Sequence, residues 1–123
     1  QIRLHRGGDT HSGFTYPYST KTVVANVWNA DPKWTVWLYE NGVETKQMRL
    51  ETQNFDAWAA GYHVGVLGRG DHYKSPCKHA YVAEPNDSRA ALKVVAVDRW
   101  GNRYEQSTFT APDDFTDAKS PVY

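Results

Sequence analysis

A chain of 123 residues carrying fourteen basic and fourteen acidic side chains is long enough for one domain and too short for a second core. The balance of charge leaves no net field to draw it to nucleic acid or to an anionic surface. No run approaches the roughly 18 apolar residues of a spanning helix, so neither a nucleic-acid partner nor membrane insertion is expected.

Residues 1–21 are rich in Gly, His, Ser, Thr, Tyr and Lys without a period, and they include Gly7-Gly8 and Tyr16-Pro17-Tyr18. They read as a lead-in or linker that packs locally at best. Gln1-Ile2-Arg3-Leu4-His5 lacks the charged-then-apolar layout of a signal peptide, so the chain reads as the mature or excised part of a longer product. From residue 22 the pattern changes. Val23, Ala25 and Val27 fall on one face of a strand and Val24, Asn26 and Trp28 on the other. After Asp31-Pro32, a strand from Trp34 to Glu40 turns Trp34, Val36 and Leu38 to the core and Thr35, Trp37 and Tyr39 away from it. Asn41-Gly42 is a favoured pair for a type I′ turn, because both residues tolerate positive φ, and Val43 to Leu50 is expected to return antiparallel.

Asn54 is placed to cap a short helical turn over Phe55 to Ala60 that Gly61 ends. Tyr62 to Leu67 reads as a strand broken by glycine, and the glycines at 61, 65, 68 and 70 suggest bulges, close backbone approach or positive φ. Asp71 to Asn86 reads as a long loop around one short strand near His79 to Ala83. Ala91 to Arg99 forms a strand that is apolar on both faces through Val94-Val95-Ala96-Val97, as expected of one covered on both sides. Trp100-Gly101-Asn102 turns the chain, Arg103 to Thr110 makes the last strand, and residues 113–123 form a polar tail. The expected architecture is all-β, an antiparallel immunoglobulin-like sandwich of about seven strands over residues 22–112 with a long Gly-rich loop.

Chemistry is sparse by comparison. The histidines stand at 5, 11, 63, 72 and 79, and only Asp9-Thr10-His11 and Asp71-His72 approach a ligand cluster; both read as surface placements in glycine-rich segments. Cys77 has no identifiable partner base, and no serine lies in a nucleophile elbow. The glycines of Gly65 to Gly70 lack the lysine and Ser or Thr of a phosphate loop. Five Trp, eight Tyr and four Phe are the unusual bulk property, and they are first a core signal, since each ring buries roughly 150–250 Å². Trp37 and Tyr39 project together, and Trp28 is expected to join them from the neighbouring strand. Such a face serves as a sugar platform, as a second layer of core or as a contact with another domain; the last two are favoured because an uncovered aromatic cluster is costly.

The blocks ANVWNADPKWTVWLYENG, DAWAAGYHVGVLGRG and KVVAVDRWGNRYEQSTF resemble the C-terminal domain of bacterial calcineurin-like phosphoesterases, especially multidomain ones of Bacteroidetes, over roughly residues 22–110. In that family a catalytic domain precedes this one and carries signatures such as Asp-x-His, Gly-Asn-His-Asp or Glu, and Gly-His-x-His. Asp9-Thr10-His11 matches the Asp-x-His spacing alone and the other signatures are absent, Gly101-Asn102 continuing to Arg103, so no catalytic residue is carried over. The resemblance implies a non-catalytic accessory domain, exported to the periplasm or cell surface, that packs on or orients a metallophosphoesterase domain of the same polypeptide. That domain would bind the two divalent metals, and no cofactor is expected in this chain. Trp28, Trp37 and Tyr39 become the expected interface, and the loop bearing His63, Arg69 and His72 is placed to face a partner. The alternative is a carbohydrate- or protein-binding sandwich using the aromatic face.

Overall fold

In the computed structural model, Asn41 and Gly42 both sit at positive φ, 53° and 81°, as a type I′ turn requires. The turn joins β5 (Thr35–Glu40) to β6 (Val43–Gln47), with Glu40 facing Val43 and a bulge between Leu38 and Tyr39. The structure describes residues 2–11, 14–28, 30–31, 33–51, 56–62, 67, 79–111 and 114.

Around this hairpin the described strands form two four-stranded sheets and a small ribbon. The first sheet runs β1 (Ile2–Arg6), β4 (Val23–Val27), β8 (Ala80–Ala83), β7 (Arg49–Glu51), and the second runs β10 (Arg103–Gln106), β9 (Leu92–Val97), β5, β6. Neighbouring strands are antiparallel throughout. This order is the ABED and GFC arrangement of an immunoglobulin-like sandwich with one strand added beside C. The period-two pattern places the core as expected: Val23, Ala25 and Val27 from the first sheet meet Val36, Leu38, Val94 and Ala96 from the second, all buried. Among the described residues the one helix, α1 (Ala57–Ala60), is far too short to cross a membrane.

Four expectations need correction. Residues 1–21 are no lead-in: Ile2 and Leu4 belong to the core, and β1 pairs with β4 from Ile2 opposite Val27 to Arg6 opposite Val23. The physical reason is the alternation of Ile2 and Leu4 with Arg3 and His5, which puts the two apolar side chains together on the core face of a strand. β2 (Thr10–His11) and β3 (Phe14–Thr15) follow as a two-stranded ribbon. Val43 to Leu50 is not one strand either. Met48 donates its amide to the Val36 carbonyl (2.7 Å) and buries its side chain in the core, and the chain then leaves the second sheet and enters the first as β7. The same move recurs past β10, where Phe109 bridges in parallel to Leu4 and Thr110 donates to the Leu4 carbonyl (2.8 Å).

The helix cap also differs. Asp56 accepts from the Ala59 amide (2.9 Å), which makes it the N-cap. Asn54 and Phe55 lie outside the described residues. Gly61 does end the helix, as its C-cap, though at φ −60° and not at positive φ; a Cβ there would lie 2.4 Å from the His11 carbonyl oxygen, so the expected close backbone approach is what requires glycine. The strand expected at Tyr62 to Leu67, most of the Gly-rich loop and, Asp114 apart, the tail at 113–123 fall outside the described residues.

Candidate functional site

Two surfaces of the sandwich carry the side chains that sequence singles out, and they lie on opposite sides. On the outer face of the second sheet, register aligns Trp37 with Val95 and Glu105, and Tyr39 with Lys93. Trp37 donates its Nε1–H to Thr35 Oγ1 (3.0 Å). The Tyr39 hydroxyl donates to Glu44 Oε1 (3.3 Å) and accepts from Arg103 Nη2 (3.1 Å), while Lys93 Nζ sits 4.9 Å from the ring centre and pairs with Glu105 at 3.2 Å. Half-buried Trp37, Tyr39 and Lys93, rimmed by the exposed Glu44, Arg103 and Glu105, form an aromatic apron beside which Val95 is fully buried, although no described element covers the face.

Trp28 is not part of it. β4 and β5 are consecutive but belong to different sheets, so Trp28 lands on the outer face of the first sheet. There it meets Trp58 edge-on at 6.0 Å and His79 at 5.8 Å. The Arg3 guanidinium lies 3.8 Å from the Trp58 ring centre and 5.6 Å from that of Trp28, so a buried cation is solvated by aromatic faces. The Trp58 indole N–H donates to the Asp114 carbonyl (2.8 Å). Tyr18, Trp28 and Tyr62 rim a second apolar cluster of Tyr16, Val24, Ala57, Trp58, Ala59 and Val82, separate from the core between the sheets.

Over that cluster the ribbon β2–β3 and α1 form a flap, pinned by a short polar chain. The Tyr16 hydroxyl donates to Asp56 Oδ1 and accepts from the Trp58 amide (3.1 Å). Burial raises the Asp56 carboxyl above its ordinary value, and the hydrogen bonds from Tyr16, Ala59 and Asn26 and the Arg3 charge only partly offset it. Beneath the flap, the His5 ring stacks on Tyr16 with centroids 4.7 Å apart and meets His11 edge-on at 5.0 Å. His11, expected at the surface, is fully buried, because β2 turns it down onto the sheet. Arg3, His5, Tyr16 and Asp56 are not among the residues that the sequence singles out as a group. The signal was available in the alternation of Ile2 to Arg6, but polar residues on a strand's second face ordinarily mean solvent.

A cleft of about 380 Å³ opens where β6 passes into β7, lined by Trp34, Gln47, Met48, Arg49, Leu50 and Tyr81. At another corner, Asp98 holds the β9–β10 turn by accepting from the amides of Trp100 and Asn102, from Asn102 Nδ2 and from the Tyr104 hydroxyl. Burial opposes the charge on Asp98, yet these donors outweigh it and keep the carboxyl below its usual range. The role is structural. Among the described residues no three His, Cys, Asp or Glu side chains come together to hold a metal ion. His63, Arg69, His72 and Cys77 lie outside the described residues.

The model of one protein family, the C terminal of calcineurin-like phosphoesterase, matches residues 1–104, a span that takes in the first sheet, the ribbon and the flap and ends inside β10 of the second sheet. The chain belongs to that family. No curated protein and no solved structure matches it.

Proposed function

We propose that the chain is the non-catalytic accessory domain of a calcineurin-like phosphoesterase, and that it docks on or orients the metal-binding catalytic domain through the outer face of its second sheet. The observation that carries the reading is the family match over residues 1–104. The choice of face rests on geometry: the first sheet already uses its outer face to hold the flap, whereas the apron of Trp37 and Tyr39 has no described cover. Its polar atoms are also bonded within the face, to Thr35, Glu44 and Arg103, which favours a protein surface laid across the rings over sugar hydroxyls seeking those same atoms. In this reading the two divalent metals belong to the catalytic domain. Export to the periplasm or cell surface is part of the same proposal and rests on the family resemblance alone.

Two outcomes are expected. The purified chain, supplied with Mn²⁺ and p-nitrophenyl phosphate, should give no turnover above buffer; metal-dependent turnover that disappears when its own histidines are replaced would show the reading to be wrong. Trp37→Ala should weaken binding to a separately produced catalytic domain of the same polypeptide by about tenfold or more, as for a central aromatic anchor. Unchanged binding would move the interface elsewhere. A glycan-dependent shift in tryptophan fluorescence that Trp37→Ala abolishes would favour the carbohydrate-binding alternative.

A further inference from the structure

His5 is fully buried, and neither ring nitrogen has a hydrogen-bond partner among the described residues. A buried imidazole in that position is tolerable only while neutral, because a proton added to it would bring a charge into an apolar site with no acceptor. What surrounds His5 makes the added charge worse. Its own strand contributes the Arg3 cation, β2 lays His11 across it, and the chain beyond β3 stacks Tyr16 on it. The nearest buried acid, Asp56 at the head of α1, already accepts from the Tyr16 hydroxyl and the Ala59 amide. On β4 the polar group of this face is Asn26, whose Oδ1 is engaged with Nδ1 of His79, just ahead of β8.

The cover over His5 is lightly built. It consists of a ribbon of two-residue strands and one helical turn, and its apolar cluster is separate from the core between the sheets. Such a unit can open while the rest stays folded.

We propose that His5 is an acid-sensitive latch: its protonation opens the flap formed by β2, β3 and α1 off the first sheet, uncovering Tyr16, Val24, Trp58 and Val82, while the two-sheet core remains intact. In the closed state burial, then His11 and Arg3, hold the imidazole well below its ordinary value of 6.5, so the open state takes up the proton first. The closed flap therefore keeps its full stability above about pH 6.5 and loses it as the pH falls further. On His5 alone, the open-to-closed ratio rises about tenfold between about pH 7.5 and about pH 5.5. Asp56 pulls the other way, because a carboxyl raised in the closed state is relieved by protonation. Its contribution is common to wild type and to any His5 variant, so comparing the two isolates His5.

Hydrogen–deuterium exchange on the full chain, corrected for intrinsic rates at each pH, tests this, with His5→Phe as the variant that keeps a stacked ring and cannot titrate. Wild type should lose about tenfold more protection in residues 7–11, 14–18 and 57–62 than in β5 and β9 on going from about pH 7.5 to about pH 5.5. In His5→Phe, which keeps Asp56 and His11, the selective loss should be about tenfold smaller. Equal loss in flap and core, no selective loss in wild type, or the same selective loss in His5→Phe would each overturn the proposal. Should His5→Phe fail to fold, His5→Gln, neutral at every pH, serves the same comparison with the same outcomes.

Discussion

Leu4→Ala is expected to destabilise the domain by about 2–5 kcal/mol, read as a lowered midpoint of urea unfolding. Leu4 is fully buried between the sheets, and its register partner across β4 is Ala25, too small to fill the space a shortened side chain would leave. Its carbonyl is also the acceptor for Thr110, so the backbone around it is held from both sides and cannot collapse into the cavity. The size of the effect separates two views of the N-terminal segment. A lead-in would tolerate alanine with a change within about 0.5 kcal/mol, as surface positions do; an integral strand would not.

Gly7→Ala should be at least as damaging, at about 3 kcal/mol or more. A Cβ at this position would lie 1.9 Å from the Ser19 carbonyl oxygen and 2.8 Å from two backbone carbons, those of Tyr18 and Ser19. Backbone cannot swing aside as the end of a side chain can. The Gly7 amide donates to the Thr22 carbonyl (2.9 Å), so relieving the clash would also pull β1 away from the start of β4. Gly8→Ala is the control. Gly8 sits at φ 83° with only a Thr20 methyl near a new Cβ, at 3.4 Å, so its cost should be confined to left-handed backbone strain of about 1–2 kcal/mol. Equal midpoints for the two variants would show that the close approach at Gly7 does not matter.

Much of the sandwich is legible in the chain because its signals are local. Asn41-Gly42 specifies its own turn, Val36 and Leu38 alternate with Trp37 and Tyr39, and Val94 to Ala96 is apolar on both faces because Val94 and Ala96 face the core while Val95 is buried beside Trp37 on the outer face. What sequence hides is set by contacts between distant segments. Arg3 and His5 resemble solvent-facing residues until Trp58 and Tyr16 are known to lie over them, some tens of residues away for Trp58. Trp28 resembles a neighbour of Trp37 until the chain between them is seen to change sheets. Met48 gives no local sign that the strand containing it will leave one sheet for the other. Asp56 competes with Asn54 as a cap on equal chemical terms, and the Tyr16 hydroxyl that selects it lies forty positions upstream.

Both edge strands of the second sheet cross to the first, β6 through Met48 into β7 and β10 toward Phe109 beside Leu4. The sandwich is therefore sewn along both sides by its own covalent chain. A row of unpaired amides and carbonyls along a free edge invites a second copy to add its own strand, the first step toward aggregation. Here each border bends away into the opposite sheet after only a few residues, so an incoming strand meets a corner in place of a template.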